Sequence, residues 1–306
     1  MRNAMLADLA LLDGVAVTCA VAASSDPQLL PGVHASCRPR GCPPQDYLRQ
    51  EARLHDLVWV VAPETAGLLG GLRQMVADRQ WLGCSSEAIA VAGSKQATAA
   101  CLQAAGIATP VGIDSSNSGN SGNSGNSGSD GGAWIVKPDD GCGASGVRRH
   151  PDLAGALADR DERLRHDEPA TIERWVDGEP LSITLLCSAG CVEVLSLNRQ
   201  RIHVDHDGRL SFGGVDIGPV PFQRREQLAA LASRIGCALP GLAGIVGVDL
   251  VWHPLRGPVV IELNPRPTCA YEGLSTLLGR NLAGEVLAQH RRAYPGMPAT
   301  LAADAA

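Results

Sequence analysis

The stretch VVIELNPRP, Val259 to Pro267, is the most informative part of this sequence because its apolar strand ends in an acid, an amide and a guanidinium. Strand side chains alternate between two faces. Glu262 and Asn264 therefore share one face, and Arg266 follows directly after the strand. The opposite, core-facing side is expected to carry Val259, Ile261 and Leu263.

The strand before it, IVGVDLVW, completes a hairpin through the turn HPLRGP. Its alternate apolar residues predict a core face, which leaves Asp249 on the other face. Pairing of the two strands then gathers Asp249, Glu262 and Asn264 on one surface. Two carboxylates and an amide oxygen are ligands that Mg²⁺ takes, with nucleotide phosphates completing its shell. A solvated outer face of the hairpin is the alternative, but Arg266 beside the acids favours a site for phosphoryl or oxyanion charge.

Two lysines offer positive charge for a nucleotide. Lys137 ends the strand AWIVKP and is followed by a glycine-rich turn, DDGCGASGV, in which Gly141 and Gly143 allow backbone N–H groups to approach phosphate oxygens. The turn is not a Walker A loop, because no G-K-[ST] follows. Lys95 lies in the first turn of a helix capped by Ser94, where a cation is unfavourable unless it meets an anion. A solvent-facing Lys95 is the alternative.

The segment IERWVDGEPLS provides a candidate for nucleoside binding. Glu173 and Glu179 flank the short apolar linker Trp175-Val176. Such a linker can offer backbone hydrogen bonds and apolar cover to adenine, and a nearby carboxylate can accept from ribose hydroxyls. The pattern is common and decides nothing by itself.

Composition excludes several classes of function. The 306 residues are 45% hydrophobic and 19% charged, with a net charge of -6. This acidic balance argues against nucleic acid or an anionic membrane as partner. Asp8 and Asp13 interrupt any apolar core of a signal peptide, and no run approaches the roughly 18 residues of a membrane span. We therefore expect a cytoplasmic protein.

The order of elements predicts a mixed α/β and α+β protein. Residues 1–92 are expected to form an α/β domain that opens with a helix, lacks the usual first strand, and contains strands in GVAVTCAVA and in HDLVWVVAP, residues 55–63. Residues 93–176 form a second unit, with a helix over 94–110 and a disordered Asn-Ser-Gly loop over 115–132. Residues 177–306 form a third unit, with a hairpin around Ser188 to Gly190, a helix at about 224–239 and the closing hairpin.

Taken in order, Lys95, Lys137 with its glycine turn, E-x-x-V-x-G-E, Asp249 and E-x-N-P-R resemble the ATP-grasp superfamily. The resemblance implies an α/β pre-ATP-grasp domain, followed by small and large subdomains that hold ATP between them. It also implies ATP-driven coupling of a carboxylate to an amine through an acyl phosphate. The resemblance implies that Lys95 and Lys137 bind the phosphates, that the segment from Glu173 through Trp175 to Val176 contacts adenine, and that Glu179 contacts the ribose. It implies that Asp249, Glu262 and Asn264 bind two Mg²⁺ ions, with Mn²⁺ as an alternative. Arg266 is implied to take part in the acyl-phosphate chemistry.

A narrower resemblance points to the tyramine–glutamate ligases of methanofuran biosynthesis. It rests on the strings VVAPE, LGCSSEAIAVAGSK, DGCG, LSLNRQ and NPRPTCAYEGL. The resemblance implies L-glutamate and either tyramine or tyrosine as substrates, with a γ-glutamyl product. Pro267 and Cys269 depart from the family pattern near the expected acceptor site, so the acceptor stays open.

Arg199, in LNRQRI, is a second candidate for a catalytic arginine. It shares a strand face with Arg201, opposite Asn198 and Gln200, and only one of the two faces can look into the cleft. The sequence leaves the oligomeric state open, and a homodimer is the assembly considered. The other functions considered are an ATP-grasp ligase with a different acceptor, a non-catalytic ATP-binding protein, and a metal-binding module built from histidines and cysteines.

Overall fold

The computed structural model describes residues 1–22, 29–113, 132–141, 143–188 and 190–295. Over these residues the chain forms a two-stranded, a three-stranded and a five-stranded sheet, with helices packed against them. The Asn-Ser-Gly loop predicted over 115–132 lies outside the described residues, apart from Gly132. No helix in the described ranges is long and apolar enough to cross a bilayer.

The first part of the chain contains the predicted opening helix and a small parallel sheet. Its elements are α1 (Arg2–Ala10), β1 (Val17–Ala22), β2 (Val33–Arg38), α2 (Pro44–Glu51), α3 (Leu68–Arg73) and α4 (Ser86–Ala92). Strand β1 pairs with β2 in parallel. The strand β2 was not predicted, because its sequence, VHASCR, is only partly apolar.

The strand predicted over residues 55–63 is wrong. Within it only Val58 pairs, in an isolated parallel bridge with Trp81. Its side chains nevertheless pack on two sides: Val58 and Val60 contact one hydrophobic cluster, and Trp59 contacts another. Burial between two cores explains the apolar run, and it requires no strand ladder.

The middle part of the chain contributes an antiparallel sheet covered by a helix. Its elements are α5 (Lys95–Ala104), β3 (Trp134–Pro138), β4 (Arg148–His150), α6 (Leu153–Arg165) and β5 (Ala170–Arg174), with the strands in the order β4-β3-β5. The predicted cap of α5 is confirmed: Ser94 Oγ accepts a hydrogen bond from the Ala97 N–H. The sheet has its own small core of Trp134, Val136, Ala156 and Ile172.

The last part is dominated by a five-stranded antiparallel sheet in the order β10-β9-β6-β7-β8. The elements are β6 (Glu179–Ser188), β7 (Cys191–Val204), β8 (Leu210–Asp216), α7 (Phe222–Ala238), β9 (Gly244–His253), β10 (Gly257–Asn264), α8 (Leu274–Leu278) and α9 (Leu282–Ala293). One face of the sheet packs against α7 in the main hydrophobic core, which contains Ile183, Leu185, Leu228, Ile235, Val246 and Val248. The opposite face is left available for a site.

A β-bulge in β10 changes the alternation expected for the closing hairpin. Val260 pairs with Leu250 and Glu262 pairs with Asp249, so Ile261 is an extra residue on this strand. Val260 therefore belongs to the core, whereas Ile261, which was expected there, faces the cavity described below. The bulge brings Glu262 directly opposite Asp249.

Candidate functional site

A cavity of about 600 Å³ lies between the three-stranded and the five-stranded sheets. This volume is in the usual range for small-molecule sites, roughly 300–1,000 Å³. Most residues predicted from the sequence to form the site line this cavity, namely Lys95, Lys137, Gly141, Gly143, Glu173, Trp175, Val176, Asp249, Glu262, Asn264 and Arg266. Although they are spread over more than half of the sequence, the fold brings them together.

The acidic cluster lies where β9 and β10 pair on the cavity side of the large sheet. Asp249 stands opposite Glu262 in the register, and Asn264 stands opposite Gly247. Asp249 Oδ1 accepts a hydrogen bond from Gln200 Nε2 at 2.9 Å, and Asn264 Nδ2 lies 3.4 Å from Asp249 Oδ2. Gln200 and Asn264 therefore support Asp249 from two sides.

The electrostatics of this cluster suit a bound cation. Burial and the nearby Glu262 charge raise the pKa of Asp249 above its ordinary range. Burial also raises the pKa of Glu262, although Lys95 and Lys137 oppose the rise. A cation bound between these two partly buried carboxylates would relieve their repulsion, in addition to the charge of Lys95 beside Glu262. The donor set of two carboxylates and an amide fits Mg²⁺ or Mn²⁺.

Both lysines are buried beside the cavity. Lys137 is 4% exposed, and its Nζ donates to Glu173 Oε1 at 2.7 Å. Lys95 Nζ donates to the Gly141 carbonyl at 2.6 Å and lies 3.7 Å from Glu262 Oε2. The alternative of a solvent-facing Lys95 is therefore wrong. Two buried ammonium groups near the acidic cluster provide the charge that a polyphosphate needs.

The glycine-rich turn is held against the start of α5. The Asp139 carbonyl accepts from the Lys95 N–H at 3.1 Å, and Asp139 Oδ1 accepts from the Gln96 N–H at 3.0 Å. Gly143 has φ +66°, a conformation that glycine adopts without the strain a side chain would bring. Residues of the turn, including Gly141 and Gly143, form one wall of the cavity.

Arg266 follows Pro265 after the closing strand. Its side chain is held by Glu64, a residue from the first part of the chain. Its side chain is 13% exposed, and Nη2 donates to Glu64 Oε2 at 2.9 Å. Glu64 is the last residue of the string VVAPE, and no site role was predicted for it. Its contact with Arg266 joins residues 202 positions apart, which spacing along the chain does not predict.

Two predicted residues are not where they were expected. Arg199 is 69% exposed and donates to Glu179 Oε1 at 2.6 Å, outside the cavity. Glu179 also accepts from Arg224 Nη2 at 3.0 Å and does not line the cavity. Although burial opposes the shift, hydrogen bonds from Arg224 and Arg199 lower the pKa of Glu179. The structure thus selects the face of β7 that carries Gln200, so the expected cavity positions of Arg199 and Glu179 are wrong.

Comparison with known proteins places this geometry in a family. A family model described as an ATP-grasp domain matches residues 92–270, and one described as a pre ATP-grasp 3 domain matches residues 15–89. A tyramine–L-glutamate ligase of Methanocaldococcus jannaschii is 29% identical over 223 residues, and that of Methanocaldococcus fervens is 27% identical over 223 residues. These matches take in 72% of this chain but only 59% and 62% of the two relatives, respectively.

Solved structures share the fold at low sequence identity. An L-amino acid ligase from Bacillus licheniformis superposes with a TM-score of 0.63 at 20% identity, covering 91% of this chain and 68% of that one. A D-alanine–D-alanine ligase from Bacillus anthracis complexed with ATP gives a TM-score of 0.62 at 15% identity, covering 85% of this chain and 87% of that one. The expected fold is confirmed. Since the family model covers more than half of the sequence, the chain belongs to the ATP-grasp family.

Proposed function

We propose that this protein is an ATP-dependent ligase that joins a carboxylate to an amine and releases ADP and phosphate. The observation that carries the proposal is the arrangement of one cavity. An acidic cluster of Asp249, Glu262 and Asn264 lies there with two buried lysines and an anchored arginine. Such a site can hold a nucleotide triphosphate and neutralise charge on a transferring phosphoryl group.

The nucleotide would lie between the two sheets. Lys95 and Lys137 would bind phosphate oxygens, with backbone N–H groups of Gly141 and Gly143 over them. Glu173, Trp175 and Val176 would contact adenine. Glu179 pairs with Arg199 and Arg224 beside the cavity, and its assignment to the ribose stays a prediction. The predicted domain boundaries, at 92/93 and 176/177, fit it and stay predictions.

Asp249, Glu262 and Asn264 would hold Mg²⁺ or Mn²⁺, and we propose that two ions are bound. When bound, the metal supplies positive charge that offsets the charge of the phosphates. Gln200 orients Asp249 through their 2.9 Å hydrogen bond. This support leaves Asp249 Oδ2 for the ion, apart from the 3.4 Å contact with Asn264.

The reaction would have two displacements. A carboxylate oxygen attacks the γ-phosphorus and ADP leaves, giving an acyl phosphate. The amine nitrogen then attacks the acyl carbon, phosphate leaves, and the nitrogen loses a proton. Arg266 would donate to the oxygen on which charge develops. Positioning and charge stabilisation suffice, so the protein needs no side-chain nucleophile.

For the substrates, we infer the γ-carboxylate of L-glutamate and the amine of tyrosine or tyramine, in the biosynthesis of a methanofuran-type cofactor. The support is similarity to the two tyramine–L-glutamate ligases and the short strings shared with that family. The second candidate is an ATP-grasp ligase with the same nucleotide site and another acceptor. This second candidate is retained because Cys269, a departure from the family pattern, lines the cavity close to Arg266. A cytoplasmic location and a homodimer stay predictions.

The other two alternatives have less support. A non-catalytic ATP-binding protein would not need the complete set of acids around Arg266. For a metal-binding module, the described residues offer an exposed group of Asp205, His206 and Asp207 that contains no cysteine. Exposed acidic groups of this kind commonly hold no metal.

The test is ADP release by the purified protein with Mg-ATP and L-glutamate, adding tyrosine or tyramine in separate reactions, with mass spectrometry of the products. A glutamyl adduct with one amine supports the proposal and identifies the acceptor. Fragmentation of the adduct distinguishes a γ from an α linkage. Glu262→Gln is the inactive control. Nucleotide binding without product from either amine contradicts the inferred substrates and favours another acceptor, and turnover that Glu262→Gln does not lower contradicts the assigned site.

A further inference from the structure

A short segment of the first domain, Glu64 to Gly67, contacts the cavity wall at two places. Glu64 Oε2 accepts from Arg266 Nη2 at 2.9 Å. The Ala66 N–H donates to Asp140 Oδ2, in the glycine-rich turn, at 2.8 Å. The segment therefore joins the arginine of the acyl-transfer site to the loop assigned to the phosphates.

The ion pair between Glu64 and Arg266 is buried. The Glu64 side chain is 7% exposed and that of Arg266 is 13% exposed. A charge in such a place is costly unless it is paired, so removing either partner would leave the other as an uncompensated charge. Arg266 lines the cavity but Glu64 does not, which means that Glu64 lies behind the guanidinium as seen from the cavity.

Glu64 holds the guanidinium by one side only. Nη2 makes the single short bond, while Nη1 lies 3.4 Å from the Pro267 carbonyl. Among the described residues, Arg266 Nε and Glu64 Oε1 are buried atoms without a hydrogen-bond partner. A pair optimised for stability alone would use both carboxylate oxygens in a bidentate contact. The one-sided contact holds Nη2 at Glu64 and leaves donor capacity at Nη1.

The backbone next to Glu64 supports a built contact. Ala66 has φ +53° and ψ +28°, which a residue with a side chain rarely adopts. Residues held in this way cluster at functional sites, where the surrounding contacts impose the conformation. Here the imposed conformation is the one in which the Ala66 N–H reaches Asp140 while Glu64 reaches Arg266.

We propose that Glu64 is a positioning residue: its carboxylate, carried by the first domain, aims the Arg266 guanidinium at the phosphoryl and acyl oxygens in the cavity. Glu64 touches no substrate and acts through Arg266. This inference rests on the proposed function for the identity of the oxygens, but the orientation of Arg266 can be tested without any acceptor.

The experiment compares the binding of Mg-ADP with that of Mg-ADP plus aluminium fluoride, a mimic of the transferring phosphoryl group. The proteins are the unaltered protein, Glu64→Gln, Arg266→Lys, the double variant and Asp159→Asn. The last is a matched control, because Asp159 is a buried carboxylate, 13% exposed, that pairs with Arg163 and does not line the cavity. The melting temperature of each protein is measured in parallel.

We expect aluminium fluoride to tighten Mg-ADP binding to the unaltered protein and to Asp159→Asn. In Glu64→Gln we expect about tenfold less tightening, with the affinity for Mg-ADP alone within about threefold, because only the misdirected guanidinium is affected. In the Arg266→Lys background, Glu64→Gln should have no further effect on the tightening, since the two residues act as one unit. Glu64→Asp keeps the charge but places it one methylene further back, so its tightening should lie between that of the unaltered protein and that of Glu64→Gln. It replaces Glu64→Gln as the test variant if Glu64→Gln does not fold.

Tightening that survives within twofold in Glu64→Gln or, if that variant does not fold, in Glu64→Asp overturns the proposal, even if the melting temperature drops. Additive effects in the double variant overturn it too, as does an unaltered protein in which aluminium fluoride has no effect. If no glutamate–amine pair gives product but the tightening is present and depends on Glu64, the proposed substrates fail and the positioning role stands.

Discussion

Gly247 in β9 permits the close approach of the segment that follows β10, and adding a single methyl group there tests this packing. A Cβ at position 247 would lie 2.5 Å from Thr268 Cγ2 and 3.4 Å from Asn264 Cβ. Ordinary carbon–carbon contacts are about 3.5–4.0 Å, so the Thr268 methyl would have to move by about 1 Å. Thr268 lines the cavity two residues after Arg266.

Gly247→Ala should therefore lower both stability and activity. Overpacking of this kind costs about 1–3 kcal/mol, which corresponds to a drop in melting temperature of roughly 2–10 °C for a chain of this size. A displacement of about 1 Å near Arg266 can lower turnover by about 10²-fold. Stability is measured by thermal unfolding monitored by fluorescence, and activity is measured separately as ADP release at saturating Mg-ATP.

Two further variants separate the clash from a general effect of replacing glycine. Thr268→Ser removes the obstructing methyl, so the double variant should recover at least half of the lost stability. Gly71→Ala, in helix α3, is the matched control, because a Cβ there meets nothing within 4 Å. It should be neutral or stabilising by up to about 1 kcal/mol. Wild-type stability in Gly247→Ala, or no recovery with Thr268→Ser, would refute the reasoning.

Three other perturbations test the site and its surroundings. Lys137→Met should weaken ATP binding by about 10- to 100-fold and also leave Glu173 unpaired, which calorimetric titration and thermal unfolding measure separately; unchanged affinity would contradict the phosphate role. Glu262→Gln should abolish the extra thermal stabilisation that Mg²⁺ adds to ADP, as chelation does in the unaltered protein, and a persisting Mg²⁺ effect would place the metal elsewhere. Glu179→Gln should destabilise by about 1 kcal/mol at pH 7, because Arg224 and Arg199 depress the pKa of Glu179. A lowered carboxylate pKa stabilises the fold at pH values above the ordinary glutamate pKa of about 4.3, and this stabilisation is lost as pH falls through the lower pKa of the folded state. The unfolding free energies of the variant and the unaltered protein, measured by urea titration, should therefore converge in acid. A difference between them that does not depend on pH would contradict the ion-pair explanation.

The closing hairpin was the most predictable part of the fold, because alternation of apolar and polar residues specifies which side of a strand faces the core. The bulge at Ile261 escaped this reasoning. One extra residue reverses the alternation locally, and no residue type in this strand indicates the bulge from the sequence. Glu262 nevertheless reaches the cavity, since the bulge moves Ile261 out of the core rather than moving the acid into it.

The misplacement of Arg199 has a different cause. Alternation along β7 groups Arg199 with Arg201 and Asn198 with Gln200, but it does not say which pair faces the cavity. That choice depends on how β7 lies in the five-stranded sheet, which is a property of the whole fold. Glu64 was missed for a related reason: its partner is far away in sequence, and neither residue alone indicates the contact.

The walls of the cavity come from two sheets that have separate cores. Trp134 and its neighbours stabilise the small sheet, while the larger sheet belongs to the main cluster. Each can therefore open at its own temperature when the cavity holds no nucleotide. A nucleotide that touches Lys137 on one sheet and Glu262 on the other would be lost on opening either. Saturating Mg-ATP should consequently merge two calorimetric transitions into one, so that the substrate sets the size of the cooperative unit.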